Sequence, residues 1–486
     1  MNTNHAESPG CHPSDLRPLS RRRFLTGCAA CAACAALRPL AAIPASTIAD
    51  ESLLPSDKAK VRLVFTHLPP QQATWPNIGY DYEGRKKELT ARLTKACPDI
   101  EFVPATVKNV AEAKQLLDAD QEIDGYLVYM VGIWTGAGVE IAAAGKPTLF
   151  VDDLYGGSGE FLTAYAAAQR KGLKVGGVSS SRFEDVAEAA MSFACLKKMR
   201  ASTVLDITEK EQLWGDPKAI QEVWGTKVHR LGAAELSRAY QMAERTQAER
   251  WAKYWIHKAQ KVVEPNRAEV TRSGAMYVAM RDLMREHRAQ ALTIDCLTLF
   301  YGGKLPAYPC LGLFQFNNDG LVGACEGDLP STLTMLLMTY FVNRPGFISD
   351  PVIDTSKNQI IYAHCVASNK VFGPRGPSNL YQIRNHSEDR KGAAIRSLMP
   401  LGEMTTTIQF NPTRKEIVMH QAKTVANIDE DKACRTKLAA EVKGDIRKLM
   451  TEWDRWGWHR VTYYGDLRAQ IETLSALMGF KVIMEA

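Results

Sequence analysis

Two carboxylates follow short apolar segments in the second half of the chain. Glu326 comes directly after Leu321–Cys325, and Asp350 comes directly after Gly346–Ser349. If the two segments are neighbouring strands that point the same way, the carboxylates lie about 5 Å apart at one sheet edge. Carboxylates held that close repel each other unless a proton or a cation lies between them. The pattern therefore predicts a divalent metal bound by Glu326 and Asp350.

The residues between these carboxylates predict a helix. Gly327 favours a turn, and Asp328 is placed to cap a helix with Pro330 in its first turn. The apolar sequence that follows is helical to about Asn343. Strand, helix and strand together indicate one βαβ unit, whose carboxyl edge is where open α/β sheets place their sites. The alternative is that the two carboxylates are only solvated strand ends or helix caps.

Three further residues could belong to the site. His459 alternates with Val461 and Tyr463 on the last long strand, and a single imidazole among oxygen ligands suits Mn²⁺ or Mg²⁺. His364, near the end of another strand, is a candidate fourth ligand or substrate contact. Trp458 is a candidate for stacking on a substrate. Each has a structural alternative, namely a packed or surface histidine, a hydrogen-bonded core histidine and an ordinary core tryptophan.

The elements that must position these residues indicate an α/β protein. Apolar runs alternate with helical patterns from Val61 onward, which is typical of parallel sheets. We predict two Rossmann-like domains with parallel sheets, at 60–200 and 201–350, the second of which carries the carboxylates. A mostly antiparallel β domain is predicted at 351–486. No GxGxxG motif follows the first strand, so a nicotinamide cofactor is not expected.

Several individual segments follow from local patterning. The apolar runs of the second domain predict strands, and a mixture of strand and helix patterns follows in the third. The predicted strands are Ala291–Asp295, Leu311–Phe316, Leu321–Glu326, Asn358–Val366, Thr405–Phe410, Trp458–Tyr464 and Lys481–Met484, and the predicted helices include Cys434–Trp453 and Leu467–Met478. Asp354 is predicted to be a turn residue.

The N-terminus carries a secretion signal pattern. Ser20–Leu25 is a twin-arginine motif, Gly27–Leu37 is an apolar stretch, and small residues at Ala41–Ala45 offer a cleavage site. We predict that residues 1–45 are a twin-arginine signal peptide and that the protein is exported to the bacterial periplasm. The apolar stretch is too short for a stable membrane anchor. The alternative is a disordered basic tail.

The net charge and the cysteine pattern argue against a nucleic-acid-binding protein and against a disulfide framework. The formal net charge is +6, half of it in residues 1–45, so the remainder is close to neutral and does not predict a nucleic-acid partner. Seven cysteines lie beyond the predicted signal. They are scattered and mostly set in apolar runs, which indicates buried thiols rather than a disulfide framework.

Several motifs resemble the metal-site signature of L-fucose isomerase, L-arabinose isomerase and related sugar isomerases. The matching segments are Cys325–Leu329, Leu333–Met335, Ile348–Asp350, Gly457–Val461 and Tyr464–Asp466. The resemblance implies that Glu326, Asp350 and His459 bind Mn²⁺ or another divalent cation. It also implies a homo-oligomer, commonly a hexamer, in which a neighbour's first domain reaches into the site.

The resemblance implies aldose–ketose isomerisation of a monosaccharide through an ene-diol. With a sugar as substrate, His364 becomes a candidate contact for a sugar hydroxyl, and Trp458 a candidate for stacking on a sugar face. Glu326 and Asp350 would exchange protons with the sugar while they hold the metal. Two alternatives from other classes remain: another metal-assisted carbohydrate enzyme on this scaffold, such as a lyase or an epimerase, and an exported, non-catalytic sugar-binding protein. Clustered carboxylates are not needed by a simple binding protein, which favours the enzyme.

Overall fold

The computed structural model describes residues 53–211 and 214–486. The predicted signal peptide at 1–45 lies outside the described residues. Within the described part of the chain, no helix is both long enough and apolar enough to cross a membrane.

A parallel sheet with helices on both faces begins the described chain. Its strands run in the order β2-β1-β3-β4-β5, and every neighbouring pair is parallel. Every residue of β3 and β4 is buried, as expected where helices cover both faces. The elements are β1 (Ala59–Thr66), α1 (Tyr82–Ala96), β2 (Ile100–Val107), α2 (Val110–Ala119), β3 (Gly125–Met130), α3 (Ala137–Ala143), β4 (Thr148–Asp152), α4 (Ser158–Arg170), β5 (Val175–Val178) and α5 (Phe183–Ala201).

A second parallel sheet follows, with the strand order β10-β9-β6-β7. Its elements are β6 (Thr203–Ile207), α6 (Pro217–Trp224), β7 (Lys227–Leu231), α7 (Ala233–Met242), α8 (Arg245–Lys258), β8 (Lys261–Val262), α9 (Arg267–Glu286), β9 (Ala291–Ile294), α10 (Cys296–Tyr301), α11 (Cys310–Asp319), β10 (Val322–Cys325) and α12 (Leu329–Val342). Helix α12 is apolar on nearly every side, which is the pattern of a helix buried all round. It contacts both α5 and β15, a strand of the next sheet.

The C-terminal part is built on a largely antiparallel sheet that closes on itself. Strand β15 pairs with both β18 and β16, so β15, β18, β11, β12, β17 and β16 form a barrel, which β19 extends by pairing with β16. The elements are β11 (Phe347–Asp354), β12 (Gln359–His364), β13 (Tyr381–Arg384), β14 (Ala394–Ser397), β15 (Met404–Asn411), β16 (Glu416–Asn427), β17 (Thr436–Val442), α13 (Ile446–Glu452), a 3₁₀ turn (Trp453–Trp456), β18 (Arg460–Tyr464), α14 (Arg468–Met478) and β19 (Lys481–Met484). Strands β13, β14 and β8 form a small separate sheet.

The predicted βαβ unit around α12 is wrong. Strand β10 lies in the second parallel sheet, whereas β11 pairs antiparallel with β12 and β18 in the barrel. Strand β11 continues past Asp350 to Asp354, and a short turn then returns the chain along it as β12. This local hairpin pairing replaces the predicted pairing with β10, so the carboxylates come from two different sheets.

Two segment predictions are also wrong, while the thiol prediction is confirmed. Leu311–Phe316 lies in helix α11, because an apolar run buried on every side carries no period that separates helix from strand. The predicted helix 434–453 is correct only for Ile446–Glu452, which form α13, whereas Thr436–Val442 form β17 between β12 and β16. The seven cysteines of the described chain are all buried and free, in agreement with the prediction.

Candidate metal centre

Four side chains converge where the second parallel sheet meets the barrel. Glu326, Asp350, His364 and His459 each offer one ligand atom, and these atoms all lie within 4.8 Å of one another. Both histidines are buried, and both carboxylates are partly buried. The structure thus brings together the two predicted carboxylates, the predicted histidine ligand and the less certain His364.

Glu326 is positioned by an uncommon backbone conformation at the carboxyl end of β10. Its φ is 66°, in the left-handed region, and Gly327 follows with a φ of 67°. The amide of Gly327 donates to the Ile294 carbonyl at 3.0 Å, which ties this turn to β9. A left-handed glutamate costs on the order of 1 kcal/mol or more, and such residues cluster at functional sites.

The barrel register places Asp350 beside the two histidines. Asp350 pairs with Ala363 of β12, which ends at His364. On the other side of β11, Ser349 pairs with Arg460, the first residue of β18, directly after His459. Asp350, in the middle of β11, therefore lies beside the end of β12 and the start of β18, which bring His364 and His459 next to it.

His459 is held by Asp328, the residue that caps α12. The Nδ1 atom of His459 lies 2.8 Å from Oδ2 of Asp328. Asp328 also accepts from the Ser331 amide at 2.9 Å and from the Ser331 hydroxyl at 2.7 Å, so the predicted cap is present. A metal-binding histidine characteristically donates its second ring N–H to a carboxylate. Asp328 therefore fixes the tautomer that leaves Nε2 free for a ligand.

The Nε2 atom of His459 points between the two carboxylates. It lies 3.4 Å from Oε2 of Glu326 and 3.3 Å from Oδ1 of Asp350, is buried and makes no hydrogen bond. Burial alone would raise the pKa of both carboxyls, but their contact with His459 and the nearby His364 lowers both values. Burial alone would lower the pKa of His459, but Asp328, Asp350 and Glu326 raise it well above its usual value.

This donor set fits a divalent cation. Two carboxylates and an unpartnered buried imidazole nitrogen provide hard oxygen ligands and one nitrogen ligand around a common point. A cation would neutralise the paired negative charges and give the buried Nε2 of His459 a partner. A buried group of Glu, Asp and His side chains that can bind a divalent metal ion is therefore present.

Two exposed tryptophans flank the centre. Trp458 is 53% exposed, so it is not the core tryptophan of the structural alternative, and its Nε1 donates to Oδ1 of Asp350 at 2.7 Å. Trp214 is 44% exposed, and its ring centroid lies 6.0 Å from that of His459. Lys210 lies beside Trp214, with its Nζ 5.8 Å from the ring centroid, and binds Asp295. Two exposed aromatic rings thus lie next to the centre, and one of them has the ammonium group of Lys210 beside it.

The sequence analysis missed Trp214 and the contact of Asp328 with His459. Trp214 lies in a charged loop with no periodic pattern to mark it. A role as helix cap already accounts for Asp328 in the sequence, and its other partner, His459, lies far from it in the chain. Asp354 is the last residue of β11 rather than a turn residue; it accepts from Ser356 of the turn that follows and is not part of the four-residue centre.

Comparisons with known proteins point to sugar isomerases at a distant level. The chain is 25% identical over 191 residues to the sulfoquinovose isomerase of Priestia aryabhattai, an alignment that covers 38% of this chain and 41% of the relative. It is 28% identical over 156 residues to that of Alkalicoccus urumqiensis, covering 31% of this chain and 34% of the relative. A third match, to the sulfoquinovose isomerase of Clostridium sp. (strain MSTE9), is 25% identical and covers 42% of this chain and 46% of the relative.

These alignments therefore span less than half the length of the curated relatives that the chain matches. No protein-family model matches the chain. A periplasmic solute-binding protein from Actinobacillus succinogenes 130z with bound D-allose aligns at 13% identity over 51% of this chain and 83% of that chain, with a TM-score of 0.17, which is too low to indicate a shared fold. Through its sequence relatives, the chain is distantly similar to sugar isomerases.

Proposed function

We propose that this protein is a metal-dependent aldose–ketose isomerase of the L-fucose/L-arabinose isomerase type. The observation that carries the proposal is the unpartnered Nε2 of His459 between the carboxylates of Glu326 and Asp350, 3.4 and 3.3 Å away. The distant similarity to proteins named sulfoquinovose isomerase supports the same reaction class. We propose Mn²⁺ as the ion, because the ligands are mainly carboxylate oxygens.

Isomerisation moves a proton between the first two carbons of the sugar. Glu326, Asp350 and His459 would hold a divalent ion, which when bound would supply positive charge against the negative charge that develops on the sugar oxygens. Glu326 and Asp350 lie close enough together to flank the reacting carbons, so that one carboxylate takes the proton and one returns it. Their lowered pKa values keep both carboxylates ionised at neutral pH, as a base requires.

The substrate would enter between the two tryptophans. Exposed rings of Trp214 and Trp458 offer apolar faces for the C–H face of a sugar, and Trp458 also binds Asp350 through Nε1. The names of the relatives make a sulfonated hexose a second candidate substrate. The ammonium group of Lys210 beside Trp214 favours including such an anionic sugar in any test.

The test is solvent exchange at the second sugar carbon. Protein without residues 1–45, loaded with Mn²⁺, would be incubated in deuterated water with a panel of aldoses, ketoses and sulfoquinovose. We expect deuterium to enter C2 of at least one sugar, because a base that removes a carbon-bound proton can lose it to solvent. Glu326→Gln and Asp350→Asn should abolish the exchange, whereas Asp354→Asn should retain it.

The outcome separates the proposal from its alternatives. Tight sugar and metal binding without exchange would favour a sugar-binding protein. Exchange followed by elimination or by inversion at one carbon, without ketose formation, would favour a lyase or an epimerase on this scaffold. Exchange that persists in Glu326→Gln would place the base elsewhere.

We propose that the protein is a homo-oligomer, commonly a hexamer in the family it resembles. Trp134 and Tyr155 lie after β3 and β4 at the carboxyl edge of the first sheet, 72% and 84% exposed, and both have a φ of 71°. Large aromatic rings held outward in this way favour a contact with a second copy. Light scattering of the purified protein should give a multiple of the monomer mass, and Trp134→Ser with Tyr155→Ser should reduce it.

We propose export by the twin-arginine pathway to the periplasm. The support is the Ser20–Leu25 motif followed by an apolar segment. Replacing Arg21, Arg22 and Arg23 with Lys should leave folded precursor in the cytoplasm. Unchanged processing and export of that variant would contradict the proposal.

A further inference from the structure

The two histidines of the metal centre have opposite hydrogen-bond partners. Nδ1 of His459 lies 2.8 Å from a carboxylate oxygen of Asp328, which can only accept while ionised. Nδ1 of His364 lies 2.9 Å from the backbone nitrogen of Cys365, whose N–H can only donate. The same ring atom is therefore a donor in His459 and an acceptor in His364.

These partners set opposite tautomers. When His459 binds a metal it keeps its proton on Nδ1, next to Asp328, and Nε2 presents its lone pair to the ion. In His364 the Nδ1 lone pair is occupied by the Cys365 amide, so the neutral ring must carry its proton on Nε2. An Nε2–H cannot coordinate a cation. Metal ligation by His364 would need a proton on Nδ1 facing the Cys365 N–H, which sets two donors against each other.

The Nε2–H of His364 is directed into the site and lacks a partner. It is buried, the residue is 2% exposed, and Nε2 makes no hydrogen bond. The nearest carboxylate oxygen is Oε1 of Glu326 at 3.6 Å, beyond normal hydrogen-bond length. A buried donor without an acceptor is costly, so a ligand oxygen that reaches it gains a hydrogen bond.

The geometry points to a division of roles: Glu326, Asp350 and His459 hold the metal, and His364 is a neutral N–H donor to an oxygen of the bound sugar. This inference rests on the proposed function for the identity of the ligand, but not for the assignment of metal ligands. His364 lies next to the ligand atoms, all four within 4.8 Å of one another, so a sugar oxygen near the metal is within its reach. His364 would then orient the reacting end of the substrate.

The experiment compares matched substitutions at the two histidines. His459→Leu and His364→Leu would be titrated with Mn²⁺ alone, with free ion measured by electron paramagnetic resonance. We expect His459→Leu to weaken Mn²⁺ binding at least 100-fold and His364→Leu to change it less than about threefold. Comparable losses in the two variants would overturn the assignment, and circular dichroism would confirm that both are folded.

The sugar contact is tested with the substrate found by deuterium exchange. His364→Leu should slow exchange on the order of 100-fold, as for loss of one placed donor, and His364→Gln, which restores an N–H near the same point, should recover part of it. Unchanged exchange in His364→Leu would overturn the donor role. If wild-type protein exchanges no sugar, the proposed function fails, while the Mn²⁺ titrations still decide which histidine is the ligand.

Discussion

Oδ2 of Asp328 lies 2.8 Å from Nδ1 of His459 while the same carboxylate caps helix α12. One side chain thus begins a buried helix of the second domain and sets the tautomer of a histidine from the barrel. The contact therefore links the start of α12 to the orientation of His459 in the candidate metal centre.

Asp328→Asn should therefore weaken metal binding without unfolding the protein. Asparagine is a good helix cap, so α12 keeps its first turn, but a neutral partner stabilises the Nδ1–H of His459 less well. We expect the Mn²⁺ dissociation constant to rise about 10- to 100-fold. Titration of metal-free protein with Mn²⁺, followed by electron paramagnetic resonance, measures this dissociation constant, and Asp354→Asn is the control substitution of a carboxylate. Equal affinities in the two variants would contradict the role of Asp328.

Metal binding should release a proton from His459. Burial alone would lower its pKa, but Asp328, Asp350 and Glu326 raise it well above the usual value, so the metal-free ring is protonated at pH 7. A ligand nitrogen must lose that proton, and Mn²⁺ affinity should rise about tenfold per pH unit below the raised pKa. Calorimetry in two buffers with different ionisation enthalpies should show about one proton released. Affinity that is independent of pH would count against His459 as a ligand.

Two substitutions at Trp458 should separate its hydrogen bond from its ring. Trp458→Phe keeps an aromatic face but removes the 2.7 Å bond to Asp350, so the pKa of Asp350 should rise and the acidic limb of kcat/KM should move to higher pH. Trp458→Ala also removes the aromatic face, so its KM should be about 3- to 10-fold higher than that of Trp458→Phe. The two pH profiles and the two KM values measure these effects. Identical kinetics in both variants would mean that the ring does not contact substrate.

Asp206→Asn should stabilise the protein at neutral pH. Asp206 is fully buried in β6 with both carboxyl oxygens unpartnered, and burial raises its pKa to about 6 despite the charge of Arg230, while Asp295 adds to the rise. A raised acid pKa means that stability falls as pH rises from the unfolded value through the folded value, and the full penalty applies above it. We expect a gain of about 1–3 kcal/mol at pH 7.5 and almost none at pH 4. Unfolding midpoints at the two pH values measure the difference, and an equal gain at both would show that charge is not the cause.

The sequence predicted the architecture better than it predicted strand pairing. The predicted helix Leu467–Met478 and the predicted strand Lys481–Met484 lie close to the observed α14 and β19, because each element has one local reason to form. The sequence around Asp350 is compatible with two partner strands for β11, namely β10 and β12, and it does not distinguish between them. Strand β17 (Thr436–Val442) lies in a segment for which the sequence predicts a helix, and one of its two barrel neighbours, β12, lies far away in the chain.

The residues of the four-residue centre were predicted from residue types and resemblance, but the sheets that carry them are not the predicted ones. Glu326 and Asp350 approach each other across two sheets rather than along one edge. The tautomers of His364 and His459 could not be predicted, since each depends on a single partner atom. The left-handed φ of Glu326 likewise could not be predicted from the sequence, although the neighbouring Gly327 indicates a turn.

The division of the centre between the parallel sheet and the barrel has a consequence for folding. Glu326 ends a strand of one sheet, and His459 precedes a strand of the other, so an ion held by both closes a chain loop from position 326 to position 459. Such an ion would act as a reversible cross-link, and closing a long loop removes the most freedom from the unfolded chain. Neither part offers the full ligand set alone, so the ion would bind only the assembled chain, and unfolding would depend on the free metal concentration. The thermal midpoint of this protein would then report how much metal its compartment supplies.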